Sequence, residues 1–157
     1  MGDMKNTMEG GMEIFAKASD YLGNLGEKAG RNEGPNEDLA MLIPSVILKA
    51  LACEVGLKTL LKIEGKDAEK AHNLKTLFEK VENSHQAEIS EVLLAKMKKV
   101  DESYNEQKLT EDLDEVKNAF IEWRYFYENP HKTSYTFLNE LYKSIRMIVY
   151  SAEQEND

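Results

Sequence analysis

The residues best suited to chemistry lie in one run, Trp123-Arg124-Tyr125-Phe126-Tyr127-Glu128-Asn129-Pro130-His131. It puts an arginine near the end of a helix and a histidine just beyond an Asn-Pro stop. A guanidinium stays charged at every physiological pH and can grip a phosphate through two hydrogen bonds, while an imidazole titrating near neutrality passes protons. Arg124 and His131 therefore carry the equipment for phosphodiester cleavage without a metal. The same run has a structural reading: Glu128 follows Arg124 by four residues on one helix face, and such a surface ion pair contributes roughly 0.3–0.5 kcal/mol. His131 is then an exposed loop residue.

Other chemistries find less support. His72, His85 and His131 are read as belonging to no metal-ligand pair, and no HExxH occurs, so neither a metal nor a cofactor is expected. No serine sits in a Gly-x-Ser-x-Gly turn. The glycine-rich stretch after residue 22 is followed by no Gly-Lys-Ser/Thr, which removes the phosphate-binding loop. Cys53 is the single cysteine and lies in the most apolar helix, where a packed, inert thiol is the natural reading.

The elements that must position these groups are helical. Leu, Ala, Glu and Lys abound, and no convincing period-two alternation is seen. A first helix is predicted over about Met8–Leu22, followed by a mobile Gly-rich loop over 23–36. The core helix runs from Leu39 or Pro44 to Ile63, with Pro44 in its first turn and apolar residues around much of its circumference. Asn73 is positioned to cap a short helix reaching Val81, with Leu74, Leu77 and Phe78 on one face. Asn83 or Ser84 would open the next helix, whose stripe is Ile89, Val92, Leu93, Met97 and Val100. Thr110 would cap a helix running to Tyr127, and Arg124 falls on the flank of its apolar seam. The last helix starts near Thr133 or Ser134 and gives way to a polar tail over 151–157. The simplest assembly is all-α: a single domain forming an antiparallel bundle of four long helices, with a short helix and an N-terminal helix added.

Composition narrows the setting. The chain has 157 residues, with 29 acidic against 20 basic side chains and a net charge of −9. One cysteine excludes an intrachain disulfide and favours a reducing, cytoplasmic setting. Acidic residues interrupt the first thirty positions, so no targeting segment is expected. The apolar region from Leu39 to Leu61 is broken by Pro44, Ser45, Lys49, Glu54 and Lys58, and no membrane partner is expected. The negative charge is concentrated: residues 101–115 carry −6 and residues 151–157 carry −3, whereas residues 116–150 carry +2. That positive segment holds Arg124, His131, Lys132, Lys143 and Arg146, so an acidic protein still has an anion-receptive region.

Two stretches together resemble the HEPN superfamily of small helical-bundle domains. One is Lys49-Ala50-Leu51-Ala52-Cys53-Glu54-Val55-Gly56-Leu57-Lys58-Thr59-Leu60-Leu61 followed by His72-Asn73-Leu74-Lys75-Thr76-Leu77-Phe78, which is similar to the family's core helix and the short helix after it. The other is Arg124 with His131, similar to the family's Arg-x(4–6)-His motif at six intervening residues. The resemblance spans about residues 40–150. It implies a metal-independent ribonuclease of the kind found in toxin–antitoxin, phage-defence and RNA-processing systems, acting as a homodimer that brings two motifs together, with an antitoxin or other protein as a further partner. Arg124 would hold the scissile phosphate and His131 would act as acid or base. Tyr125 stands where active members usually carry a polar residue and would offer a base-stacking surface; Lys132, Lys143 and Arg146 would contact RNA. Other members keep the fold without the activity, so a non-catalytic dimerisation or partner-binding module is the alternative.

Overall fold

A computed structural model describes residues 5–68, 70–122 and 135–156, with side chains from residue 10. Seven α-helices and one 3-10 turn appear among them, and no strand. The helices are α1 (Lys5–Gly30), α2 (Leu42–Ile63), α3 (Leu74–Lys80), α4 (Asn83–Lys98), α5 (Glu106–Val116), α6 (Ala119–Glu122) and α7 (Tyr135–Glu155), with the 3-10 turn Asn36–Met41 ahead of α2.

Helix α2 is the centre. Ala50, Ala52, Cys53, Leu57, Leu60 and Leu61 are fully buried in it, and α1 and α7 pack along it on different sides. Residues 36–63 are the one helical stretch, among those described, long and apolar enough to cross a membrane. Part of that apolar surface faces protein: Leu57 and Leu61 belong to the same core as Phe137, Leu138, Leu141 and Ile145 of α7.

The predicted loop over 23–36 is mostly helix, because α1 continues to Gly30 and only residues 31–35 turn. The glycines serve close approach. A Cβ on Gly23 would sit 2.9 Å from Ser45 Oγ, and one on Gly26 only 2.5 Å from Leu42 Cγ. Contact at this separation lets Ser19 Oγ donate to the Ser45 carbonyl and Ser45 Oγ donate to the Ser19 carbonyl, each at 2.7 Å and buried. Composition favoured a loop, but packing of one backbone on another decides the matter.

Direction follows from paired positions. Gly23 meets Ser45 and Met12 meets Gly56, so α1 and α2 are antiparallel. Ser45 meets Tyr135, Cys53 meets Leu138 and Gly56 meets Ile145, so α2 and α7 run the same way. A bundle with every neighbour antiparallel is thus not what the chain forms; the segment between α2 and α7, including α3 to α6, serves as a crossover.

Three boundaries also differ from the sequence reading. Asn105, not Thr110, caps α5, accepting the Lys108 N–H at 3.0 Å, while Thr110 Oγ1 bonds back to the Glu106 carbonyl inside the helix. The helix anticipated from 110 to 127 breaks at Lys117–Asn118, where the Lys117 carbonyl accepts the Leu74 N–H at the start of α3. A free donor at one helix end takes a carbonyl from the other helix's ladder, and the uninterrupted helix used to orient Arg124 does not exist. Finally, 151–155 is no tail: α7 runs through it and buries Ala152. Asn73 does cap α3, accepting from Thr76 N–H, with Leu74, Leu77 and Phe78 buried.

Candidate anion-binding groove

Helices α1, α4 and α7 enclose a groove of about 650 Å³, within the range of small-ligand sites. Two of the residues assigned from sequence to nucleic-acid contact, Lys143 and Arg146, line it. Both lie on α7, one turn apart, beside the face that Leu138, Leu141, Ile145 and Val149 turn into the core. Arg124, Tyr125, His131 and Lys132 lie outside the described residues.

The groove's other cations are Lys17 on α1 and Lys96 on α4. Against these four stand two lining carboxylates, Glu13 and Asp20, leaving an excess of +2 in a chain whose total is −9. Arg146 donates from Nε and Nη2 to Glu13 Oε1 at 3.1 and 2.9 Å, and Tyr150 Oη donates to the same oxygen at 2.5 Å. Those bonds, the tyrosine's first and the arginine's second, hold the Glu13 carboxyl below its ordinary range. The guanidinium also lies over the Tyr150 ring, 4.9 Å from its centre. Lys143 bonds Glu140 at 3.0 Å, and Lys96 reaches the other oxygen of that carboxylate at 3.7 Å. Lys17 is the groove cation with no ion pair among the described residues.

Behind the wall lies a residue that sequence reasoning passed over. Lys49 of the core helix is 1% exposed and reaches two groove residues from behind, its ammonium donating to Asp20 at 2.6 Å and sitting 5.1 Å from the centre of the Tyr142 ring. Burying a charge is costly without a partner, and Asp20 and the aromatic face supply one. A lysine in the midst of an otherwise apolar core stretch was the available signal. Burial pushes the Tyr142 hydroxyl up to about 12, so that ring is neutral at physiological pH.

Elsewhere the chain holds two carboxylate–histidine pairs. Glu54, buried on α2, accepts from Lys58 at 2.8 Å through Oε1, which also lies 2.9 Å from His72 Nδ1; its Oε2 has no hydrogen-bond partner among the described residues. Glu64 lies 2.7 Å from His85 Nδ1, 3.0 Å from the Lys66 ammonium, and accepts the Glu82 N–H at the start of α4. Ligand atoms of Glu64, Glu82 and His85 lie within 4.8 Å of one another. This grouping corrects the reading of the histidines, since Glu82-Asn83-Ser84-His85 does carry a Glu-x-x-His spacing. The Glu64 oxygens nevertheless already serve as the α4 cap and hold the Lys66 ammonium, a competitor for any cation. Cys53 matches its packed reading: fully buried, with its thiol pushed up to about 12 by that burial, partly offset by Lys49.

Compared with protein-family models, characterised proteins and solved structures, the chain matches none of them.

Proposed function

We propose that the chain is a HEPN-like, cytoplasmic RNA-binding protein that acts as a metal-independent endoribonuclease in a toxin–antitoxin or phage-defence setting. The observation that carries the RNA-binding part is the α1–α4–α7 groove: its excess of +2 inside a −9 protein is a local attraction for phosphate. The catalytic part rests on the Arg124–His131 spacing. In this reading, a ribose 2′-oxygen attacks the adjacent phosphorus and the 5′-oxygen leaves, giving a 2′,3′-cyclic phosphate and a 5′-hydroxyl. His131 of one copy takes the 2′ proton, the other copy's imidazole returns one to the leaving oxygen, and Arg124 stabilises charge growing on the phosphate. A homodimer supplies both motifs.

The four longest helices, α1, α2, α4 and α7, are proposed as the HEPN-like bundle. A second reading, a non-catalytic partner-binding module, draws on α1, where Ile14 and Tyr21, two turns apart, are 66% and 68% exposed; exposed apolar residues in register on one helix face are a common docking feature. Cleavage assays separate the two. Arg124→Ala and His131→Ala should each abolish RNA cleavage while shifting the melting temperature little. Full activity in either variant, or a wild-type protein that cuts nothing in a broad RNA panel, removes the enzymatic reading and leaves the module.

A further inference from the structure

The end of α2 meets the start of α4 through groups that share one anion. The Glu64 side chain is 2% exposed. Burial works against its charge, but the His85 imidazole at 2.7 Å, the Lys66 ammonium at 3.0 Å and the Glu82 N–H hold the carboxyl below its ordinary range. Because Glu64 is ionised and accepts, the proton of its bond with His85 resides on Nδ1. The Lys66 ammonium also donates to the Lys80 carbonyl at 3.0 Å, so the fold already places a cation against this carboxylate, on a flexible four-carbon stem. Glu82 adds a second carboxylate. It is exposed, its side chain caps nothing, and His85 follows it by three residues, which sets the two on one face of the helix start. One ligand atom from each of Glu64, Glu82 and His85 lies within 4.8 Å of the other two. The imidazole and the depth of Glu64 separate this set from an acidic surface cluster. Calcium and magnesium take six or more oxygens, whereas one imidazole with two carboxylates is a donor set for zinc.

We propose that Glu64, Glu82 and His85 bind a zinc ion that locks the end of α2 to the start of α4, with water in the fourth position. Zinc takes the place of the proton between His85 Nδ1 and Glu64 Oε1. The imidazole then carries its single proton on Nε2, and the Lys66 ammonium withdraws to solvent. Zinc–ligand bonds of about 2.0–2.2 Å at a tetrahedral angle set two ligand atoms about 3.3 Å apart. The pair now at 2.7 Å has to open by about half an ångström, a small side-chain rotation. Charge favours the exchange: two carboxylates against one ammonium leave −1 around a neutral imidazole, and zinc in place of the ammonium brings that to zero. The ion closes residues 64–85, which carry α3, into a loop, so its role is structural. It uses neither Arg124 nor His131 and stands independent of the function proposed above.

The test is a zinc titration of the full chain, stripped with a chelator and free of any histidine tag, read near neutral pH by calorimetry and by the melting temperature. One equivalent should bind, and zinc at about a hundred times its dissociation constant should raise the melting temperature by about 5–10 °C. Magnesium in large excess should not compete. His85→Gln should abolish both effects. Glu82→Gln, at an exposed position, should weaken zinc binding at least about tenfold while leaving the melting temperature of the metal-free protein unchanged. Lys66→Met removes the competing ammonium and should tighten binding, and His72→Gln should change nothing. A wild-type chain with no saturable zinc binding in the micromolar range overturns the proposal. So does binding that survives His85→Gln or keeps its full strength in Glu82→Gln, and binding lost in His72→Gln places the ion elsewhere.

Discussion

Gly56 is the point where three helices touch. A Cβ there would meet Ile145 Cγ2 at 2.7 Å and Met12 Sδ at 2.9 Å, so α1 and α7 both press on this one position of α2. In an open helix position, exchanging glycine for alanine stabilises by up to about 1 kcal/mol. At Gly56 overpacking, typically about 1–3 kcal/mol, opposes that gain and outweighs it. Gly56→Ala should therefore lower the unfolding free energy, whereas Gly11→Ala, where a Cβ meets nothing within 4 Å, should not; denaturant melts of the two variants check the contrast. Cys53 makes a second residue-scale prediction: buried and with its thiol pushed up to about 12, it should resist a thiol reagent in the folded protein and react fully only with unfolding. Burial of Cys53 could be read in the sequence because its neighbours on α2 are apolar. The tight site at Gly56 could not, since nothing local distinguishes it from a glycine that weakens a helix.

At the scale of elements, the ends of helices were harder to read than their faces. Buried stripes such as Leu74, Leu77 and Phe78 on α3 follow from spacing alone. The caps depended on which polar group arrived from elsewhere. Asn105 displaced Thr110 as the cap of α5, and Asn105→Ala should cost about 1 kcal/mol in a thermal or denaturant melt while Thr110→Ala costs less. The start of α4 is held from a distance of 18 residues by Glu64, a partner that no local pattern announces. Burial by itself would raise the Glu64 pKa, but hydrogen bonds from His85, Lys66 and the Glu82 N–H prevail and lower it. A carboxyl whose folded pKa is depressed contributes stability above its unfolded value and loses that contribution as pH falls through the folded one. Glu13, held down by Tyr150 and Arg146, and Asp101, held near about 2 by Lys108 and Ser103, act in the same direction. The melting temperature should hold steady from neutral pH to about 5 and fall below it, and Glu64→Gln should lower the neutral plateau and soften that fall. A fall of the same size in the variant would show that Glu64 contributes nothing to it.

For the whole molecule, the helical class and the central role of α2 were legible, because apolar residues surround that helix and strand patterns are missing. The extent of α1 and the parallel course of α2 and α7 were not, because both depend on contacts between distant residues: Gly26 against Leu42, and Cys53 against Leu138. The groove was half legible. A charge count by segment singled out the neighbourhood of Lys143 and Arg146, yet Lys17, Lys96 and the buried Lys49 come from α1, α4 and α2, and only the fold gathers them. A chain this acidic should repel RNA everywhere but at such a gathering, so the proposed binding would be both local and sensitive to salt. The most direct measurement is fluorescence anisotropy of a labelled single-stranded RNA, titrated at several salt concentrations with the wild-type chain and with a Lys17→Glu, Lys143→Glu double variant, both exposed positions. Binding by the wild type should weaken with salt at a log–log slope of about −1 to −3, from some two to four phosphate contacts, and the double variant should lose at least about tenfold in affinity at the lowest salt. A wild type that binds no RNA at low salt, or a double variant that binds as tightly, would contradict the account.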